Sequence, residues 1–161
     1  MPEAVSRNAQ GSEQRNDEGA PEGPEYGDNI DPLTFEQILE MDEDDPTQEF
    51  SRSIVFGFFE QAESTFAKMD EEYERGDLAQ LSSLGHFLKG SSATLGLTKV
   101  KDSCEKIQHL GVHKDETGNH EETDDTKCLN RIKGILDEVK LEYRDAEAAL
   151  REFYRRSEQN Y

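Results

Sequence analysis

The chain has 161 residues, and its 37 Asp and Glu outnumber its 18 Lys and Arg to give a formal net charge of −19. Such an acidic chain is not expected to bind nucleic acid, because a phosphate backbone requires clustered cations. No run approaches the ~20 apolar residues that span a bilayer, and residues 1–30 lack the basic and apolar regions of a signal peptide. We therefore expect an intracellular protein that contacts neither nucleic acid nor membrane.

Residues 1–30 are predicted to form a disordered acidic tail. They are rich in Gly, Pro, Ser, Asn, Gln and acidic residues, and their only larger apolar groups are Val5, Tyr26 and Ile30. This composition cannot offset the entropy lost on ordering. Residues 31–161 are predicted to form one domain, since about 120 residues are enough to bury a single core.

Two helices are predicted next, separated by an acidic run. A proline directly after Asp31 begins a short helix that reaches Met41. Residues 42–45 are all acidic, and we predict a solvated run there because the alternating ligands and glycine of a calcium loop are absent. Thr47 is predicted to cap the second helix, which should end near Gly76.

Three further helices complete the pattern. Asp77 is predicted to cap the third and Gly96 to end it, while the fourth ends at Gly111 before an exposed polar loop over residues 112–126. The apolar spacing of the last helix alternates between three and four residues, which is typical of a bundle seam. That seam consists of Leu129, Ile132, Leu136, Val139, Tyr143, Ala146, Leu150 and Phe153. Because strand alternation is absent, we predict an all-α antiparallel up-down four-helix bundle with a short extra N-terminal helix.

His86 lies on the third helix, facing away from that helix's own apolar stripe. At about 100° per residue it falls roughly 170° from the centre of the stripe. Its neighbours one turn away include Ser82, Ser83, Lys89 and Gly90, so a cation and bare backbone stand beside the ring. An imidazole that accepts a phosphoryl group needs such a cation. The alternative is an ordinary surface histidine.

Nucleotide and metal binding have less support. Gly85 and Gly90 have the spacing of a Walker A loop, but Ser91 stands where that motif has lysine and no strand precedes it. His109 and His113 are spaced like metal ligands one helical turn apart, but the fourth helix ends between them. We therefore predict neither a nucleotide nor a metal site.

The first two helices carry more apolar side chains than one core stripe needs. An exposed apolar patch usually marks an interaction site, whereas coverage by the short helix would leave no patch; both interpretations stay open. The residues concerned are Ile38, Met41, Phe50, Ile54, Val55 and, at the margin of the His86 face, Phe87.

The sequence around His86 resembles histidine-containing phosphotransfer (HPt) proteins, most closely the fungal phosphorelay intermediates. The likeness rests on His-Phe-Leu-Lys-Gly-Ser-Ser-Ala at 86–93, Leu-Gly-Leu at 95–97 and Cys-Glu-Lys-Ile-Gln-His-Leu-Gly at 104–111. It runs from about Leu33 through the last helix and leaves out the N-terminal tail.

The resemblance implies a phosphocarrier with no kinase or ATPase activity of its own. His86 would accept a phosphoryl group from a receiver-domain aspartate of a hybrid histidine kinase and pass it to the aspartate of a response regulator, in osmotic or oxidative stress signalling. Lys89 would steady the phosphate, Gly90 would leave room for the receiver, and Gln108 would orient the ring. The receiver would supply the Mg²⁺, so no cofactor is expected in this chain.

The same resemblance implies a monomer of the cytoplasm and nucleus whose partners are receiver domains. They would dock on the apolar residues of the short helix and the helix after it, and on Phe87. A different class is also open, namely a non-catalytic helical adaptor that binds partners through the exposed apolar patch, with His86 incidental.

Overall fold

The computed structural model describes residues 26–158, which form five α-helices. The helices are α1 (Pro32–Glu40), α2 (Glu49–Arg75), α3 (Leu78–Leu95), α4 (Thr98–Leu110) and α5 (Asp125–Glu158). The four longer helices pack in a ring, in which α3 lies between α2 and α4 while α5 contacts α4 and α2. The prediction of an all-α four-helix bundle with a short N-terminal helix is confirmed.

Local sequence signals set most of the helix boundaries. The Asp31 carboxylate accepts a hydrogen bond of 3.1 Å from the Leu33 amide at the start of α1, and Asp77 accepts one from the third residue of α3. Gly76 and Gly96 end α2 and α3 with φ of 70° and 80°, the left-handed region that glycine enters without steric cost. The predicted start of α1 after Asp31, the Asp77 cap and the two glycine ends are confirmed.

The start of α2 differs from the prediction. Thr47 does not cap the helix; its amide and hydroxyl donate to Asp45 instead. The cap comes from the preceding loop, where the Asp42 carboxylate accepts hydrogen bonds from the Ser51 amide at 2.8 Å and the Ser51 hydroxyl at 2.6 Å. Asp42 is buried, so the prediction that the whole acidic run is solvated is wrong at its first residue.

The predicted disordered tail, residues 1–30, includes residues at its C-terminal end that pack against the bundle. Residues 1–25 lie outside the described residues, but Tyr26 and Ile30 are only 5% and 3% exposed. The Tyr26 ring packs edge-on against Phe35 with centroids 5.2 Å apart, and the Asn29 amide donates to the main chain of α5. The packed structure therefore includes Tyr26, and the domain boundary predicted at residue 31 is too late.

The connection before α5 is an ordered turn. The Asp115 carboxylate accepts hydrogen bonds from the amides of Thr117 and Gly118, both at 3.1 Å. His113 Nε2 lies 2.6 Å from Asp125 at the first residue of α5.

Across residues 26–158, no helix combines the length and apolar character that crossing a bilayer would need.

Candidate functional site

His86 is exposed on α3, while Leu81 and Leu88 of the same helix are fully buried. The preceding residue, Gly85, explains why the ring lies beside α4. A Cβ added there would lie 2.8 Å from the main-chain oxygen of Cys104. The two helices therefore approach closely at a position that only glycine fits, and His86 stands at the edge of that contact.

Gln108 of α4 contacts the imidazole. Its side-chain Nε2 lies 3.2 Å from His86 Nδ1, and its Oε1 is buried without a hydrogen-bond partner. The Ser82 hydroxyl donates to the main-chain oxygen of Gln108 at 2.8 Å. Helical spacing had placed Ser82 on the exposed face, whereas it is buried between α3 and α4. With Nδ1 engaged, Nε2 is the ring nitrogen left for a ligand.

Lys89 has a loose carboxylate partner. Its Nζ lies 4.0 Å from Glu105 Oε2, at the outer limit of an ion pair, and that oxygen lies 4.0 Å from His109 Nε2 as well. His109 Nδ1 in turn contacts the main-chain oxygen of Glu116 at 2.9 Å. Sequence reasoning missed Glu105, although its place one turn before Gln108 on α4 is a usable signal.

Gly90 is exposed, and a Cβ added to it would meet no atom within 4 Å. Packing inside the bundle therefore does not require glycine at this position. The Ser91 hydroxyl next to it donates to Gln61 Oε1 at 2.9 Å, which joins α3 to α2 beside the site.

The apolar residues predicted for docking divide into exposed and buried groups. Met41, Phe50 and Phe87 are 57%, 49% and 48% exposed, and Ile54 is half-buried. Val55 has no exposed surface, so the prediction that it contacts a partner is wrong, and Ile38, at 5%, offers almost none. Both belong to the hydrophobic core of the bundle. Leu33, which is 74% exposed, was not predicted.

The two histidines with metal-ligand spacing have other contacts. His109 is held by Glu116, and His113 by Asp125. Within residues 26–158, no group of three or more His, Cys, Asp or Glu side chains is arranged to hold a metal ion.

The arrangement is thus a surface imidazole with one nitrogen held, a lysine one turn away, and uncovered helix backbone beside both. It presents an exposed ring nitrogen to solvent, where a docked group can reach it.

A family model described as the Hpt domain matches residues 54–142, which is more than half of the chain. The chain belongs to this family. The HPt resemblance noted in the sequence around His86 is therefore confirmed.

Two curated proteins with phosphorelay names are similar to this chain in sequence. Multistep phosphorelay regulator 1 of Schizosaccharomyces pombe is 48% identical over 128 residues, which cover 80% of this chain and 43% of that protein. Phosphorelay intermediate protein YPD1 of Saccharomyces cerevisiae is 37% identical over 114 residues, covering 69% of this chain and 65% of that protein. The chain thus spans less than two thirds of the length of either relative.

A co-crystal structure of Saccharomyces cerevisiae Ypd1 with the receiver domain of its downstream response regulator Ssk1 is similar in fold. It superposes with a TM-score of 0.69 and 32% sequence identity, covering 80% of this chain and 95% of that chain.

Proposed function

We propose that this protein is a phosphorelay intermediate. His86 accepts a phosphoryl group from a receiver-domain aspartate of a hybrid histidine kinase and passes it to the aspartate of a response regulator. The observation that carries the proposal is the exposed His86 ring, whose Nδ1 contacts Gln108 while Nε2 stays accessible. Membership of the Hpt family and the Ypd1 complex with a receiver domain support the same role.

The chemistry defines which form of the imidazole reacts. For Nε2 to attack phosphorus its lone pair must be free, so the ring proton must sit on Nδ1. A protonated Nδ1 donates, and the acceptor within reach is the Gln108 amide oxygen. Rotation of the Gln108 carboxamide by about 180° around its Cγ–Cδ bond exchanges the positions of its NH₂ group and its oxygen. This rotation brings Oε1, which is buried and has no hydrogen-bond partner, to Nδ1. The reactive state thus gives Oε1 a partner. The bond from Nε2 to phosphorus forms as the bond from phosphorus to the aspartate oxygen breaks.

Lys89 is suited to compensate the charge that arrives with the phosphoryl group. Its ammonium stands one turn after His86 and has Glu105 as a partner only at 4.0 Å. A lysine is a flexible point charge, so it can turn from a carboxylate towards a more highly charged phosphoryl group.

The receiver domain supplies the Mg²⁺ and the acidic pocket in this proposal. This chain supplies the nucleophile, one cation and the docking surface, and it acts without kinase or ATPase activity of its own. It works as a monomer in the cytoplasm and nucleus, in osmotic or oxidative stress signalling, and contacts neither nucleic acid nor membrane.

Phosphotransfer from a purified receiver domain tests the proposal. The receiver is phosphorylated on its aspartate and mixed with wild type, His86→Gln or His109→Gln. The His109 variant is the matched control, since it changes a partly exposed histidine on the neighbouring helix. We expect acid-labile phosphate on wild type and the control, and none on His86→Gln. Transfer to His86→Gln would overturn the proposal.

A non-catalytic adaptor is the second candidate, and the exposure of Met41 and Phe50 favours it. In that case His86→Gln would keep every cellular activity of the protein. Phe50→Asp would then abolish both partner binding and activity.

A further inference from the structure

Gly57 is a glycine in the interior of α2 for which the bundle itself gives no reason. Its position is exposed, and a Cβ added there would meet no atom within 4 Å. Its φ is not in the left-handed region. Glycine is among the least favourable residues inside a helix, and packing within the bundle does not account for it at this position.

Gly57 shares a face of α2 with three exposed or half-buried residues. At about 100° per residue, Phe50, Ile54, Gly57 and Gln61 fall within roughly 60° of one another. Phe50 is 49% exposed, and Ile54 is half-buried. From Phe50 to Gln61 this row has no charged side chain, in a chain whose net charge is −19.

The row joins the phosphotransfer site directly. Gln61 accepts the hydrogen bond from Ser91, and Ser91 adjoins Gly90 on α3. Gly57 lies one helical turn before Gln61, about 6 Å along α2. Gly57 and Gly90 therefore expose bare backbone on either side of the Gln61–Ser91 junction, and exposed Phe50 and Phe87 flank them.

We infer that Gly57 is a specificity-determining contact for the receiver domain. The receiver that docks over His86 extends across Gly90 and lies directly on the backbone of α2 at Gly57. The surface it presents there is uncharged and projects far enough to fill the space that a side chain would occupy. Continuity with the His86 site identifies the occupant, and the inference rests on the proposed function. A receiver that is flat at this point gains less from the contact, so Gly57 discriminates among receivers.

Gly134 provides a matched control within the chain. It is an exposed glycine in the interior of α5, and a Cβ added there also meets no atom within 4 Å. Alanine or leucine at either position is a better helix former than glycine. Each substitution should therefore raise the melting temperature, as followed by circular dichroism, and the two positions should differ only in receiver docking.

The experiment measures transfer from a phosphorylated receiver domain to His86 in wild type, Gly57→Leu and Gly134→Leu. We expect Gly57→Leu to raise the KM for the receiver roughly ten-fold, the scale of a lost interface contact, with little change in kcat. Gly134→Leu should keep the wild-type KM. Loading of His86 by phosphoramidate, a small donor that needs no docking, should be equal in all three.

The outcomes separate the two hypotheses. If wild type accepts phosphate and Gly57→Leu has the same KM, the role of Gly57 is refuted while the proposed function stands. An equal rise in KM for Gly134→Leu would also refute it, because the effect would not be local. If wild type accepts no phosphate from any receiver, the proposed function itself fails.

Discussion

The Ser82 hydroxyl donates a 2.8 Å hydrogen bond to the main-chain oxygen of Gln108 and so joins α3 to α4 one turn before His86. Gln108 belongs to the last turn of α4, where main-chain oxygens lack a partner within their own helix. Ser82 therefore satisfies a carbonyl at the helix end and fixes the residue that contacts the imidazole.

Ser82→Ala should weaken both stability and phosphotransfer. Loss of one partly buried hydrogen bond costs about 1 kcal/mol, and urea unfolding measures this cost. Because Gln108 is then less well fixed, transfer to His86 should also slow. Ser83→Ala is the control, since Ser83 is the exposed neighbour on the same helix. Equal stability and equal rates for both variants would show that the Ser82 bond contributes nothing.

The second prediction is that the neutral His86 ring carries its proton on Nδ1. If Gln108 accepts through Oε1, the ring proton is on Nδ1, and ¹⁵N NMR of the imidazole distinguishes this form from the Nε2 tautomer. Gln108→Met removes the acceptor and should slow transfer by roughly 10- to 100-fold, the scale of losing a hydrogen-bond partner that orients a functional histidine ring. Gln108→Glu keeps an acceptor oxygen and should be faster than Gln108→Met. A predominant Nε2–H form in wild type would contradict the reactive geometry.

The helix ends show how much the sequence alone could predict. Gly76, Gly96, Asp31 and Asp77 act within one turn of their own position, so their roles follow from neighbouring residues. The Asp42 cap reaches Ser51 nine residues later, and a local pattern does not reveal which side chain crosses that distance.

Packing between helices likewise limited how much of the site could be predicted from the sequence. The exposed direction of His86 followed from the helical period, and the resemblance implied its contact with Gln108 on the next helix. The division between exposed Met41 and buried Val55 did not follow, because it depends on how the helices pack into a common core. Tyr26 was assigned to the tail for the same reason, since its partner Phe35 comes from another element.

The raised pKa of the buried Tyr154 hydroxyl predicts how the stability of the protein changes at alkaline pH. Its hydroxyl donates to Ser51 at 2.7 Å, and burial raises its pKa from 10.0 to about 12. The unfolded chain therefore loses this proton at a lower pH than the folded protein. The resulting contribution to stability is complete below about pH 10 and is lost as the pH rises to about 12.

Tyr154→Phe should reduce that pH dependence. Urea unfolding at a series of pH values between about 8 and 11 should show a smaller loss of stability in the variant than in wild type. Tyr73→Phe, at a half-buried position on α2, is the control and should follow the wild-type curve. Identical pH curves for Tyr154→Phe and wild type would rule out the contribution of Tyr154.

Glu105 is expected to limit the lifetime of the phosphohistidine. Its carboxylate lies 4.0 Å from Lys89 Nζ and competes with a phosphoryl group on His86 for that ammonium. Glu105→Gln removes the competing charge, so phosphate should stay on His86 longer, by roughly two-fold because the pair is partly exposed and screened. The half-life of radiolabelled phosphohistidine measures this effect. Asp102→Asn is the control: it changes the net charge equally on the same helix, but Asp102 pairs with Lys101 and should leave the half-life unchanged. A half-life that is unchanged or shorter in Glu105→Gln would show that Lys89 is not shared between the two anions.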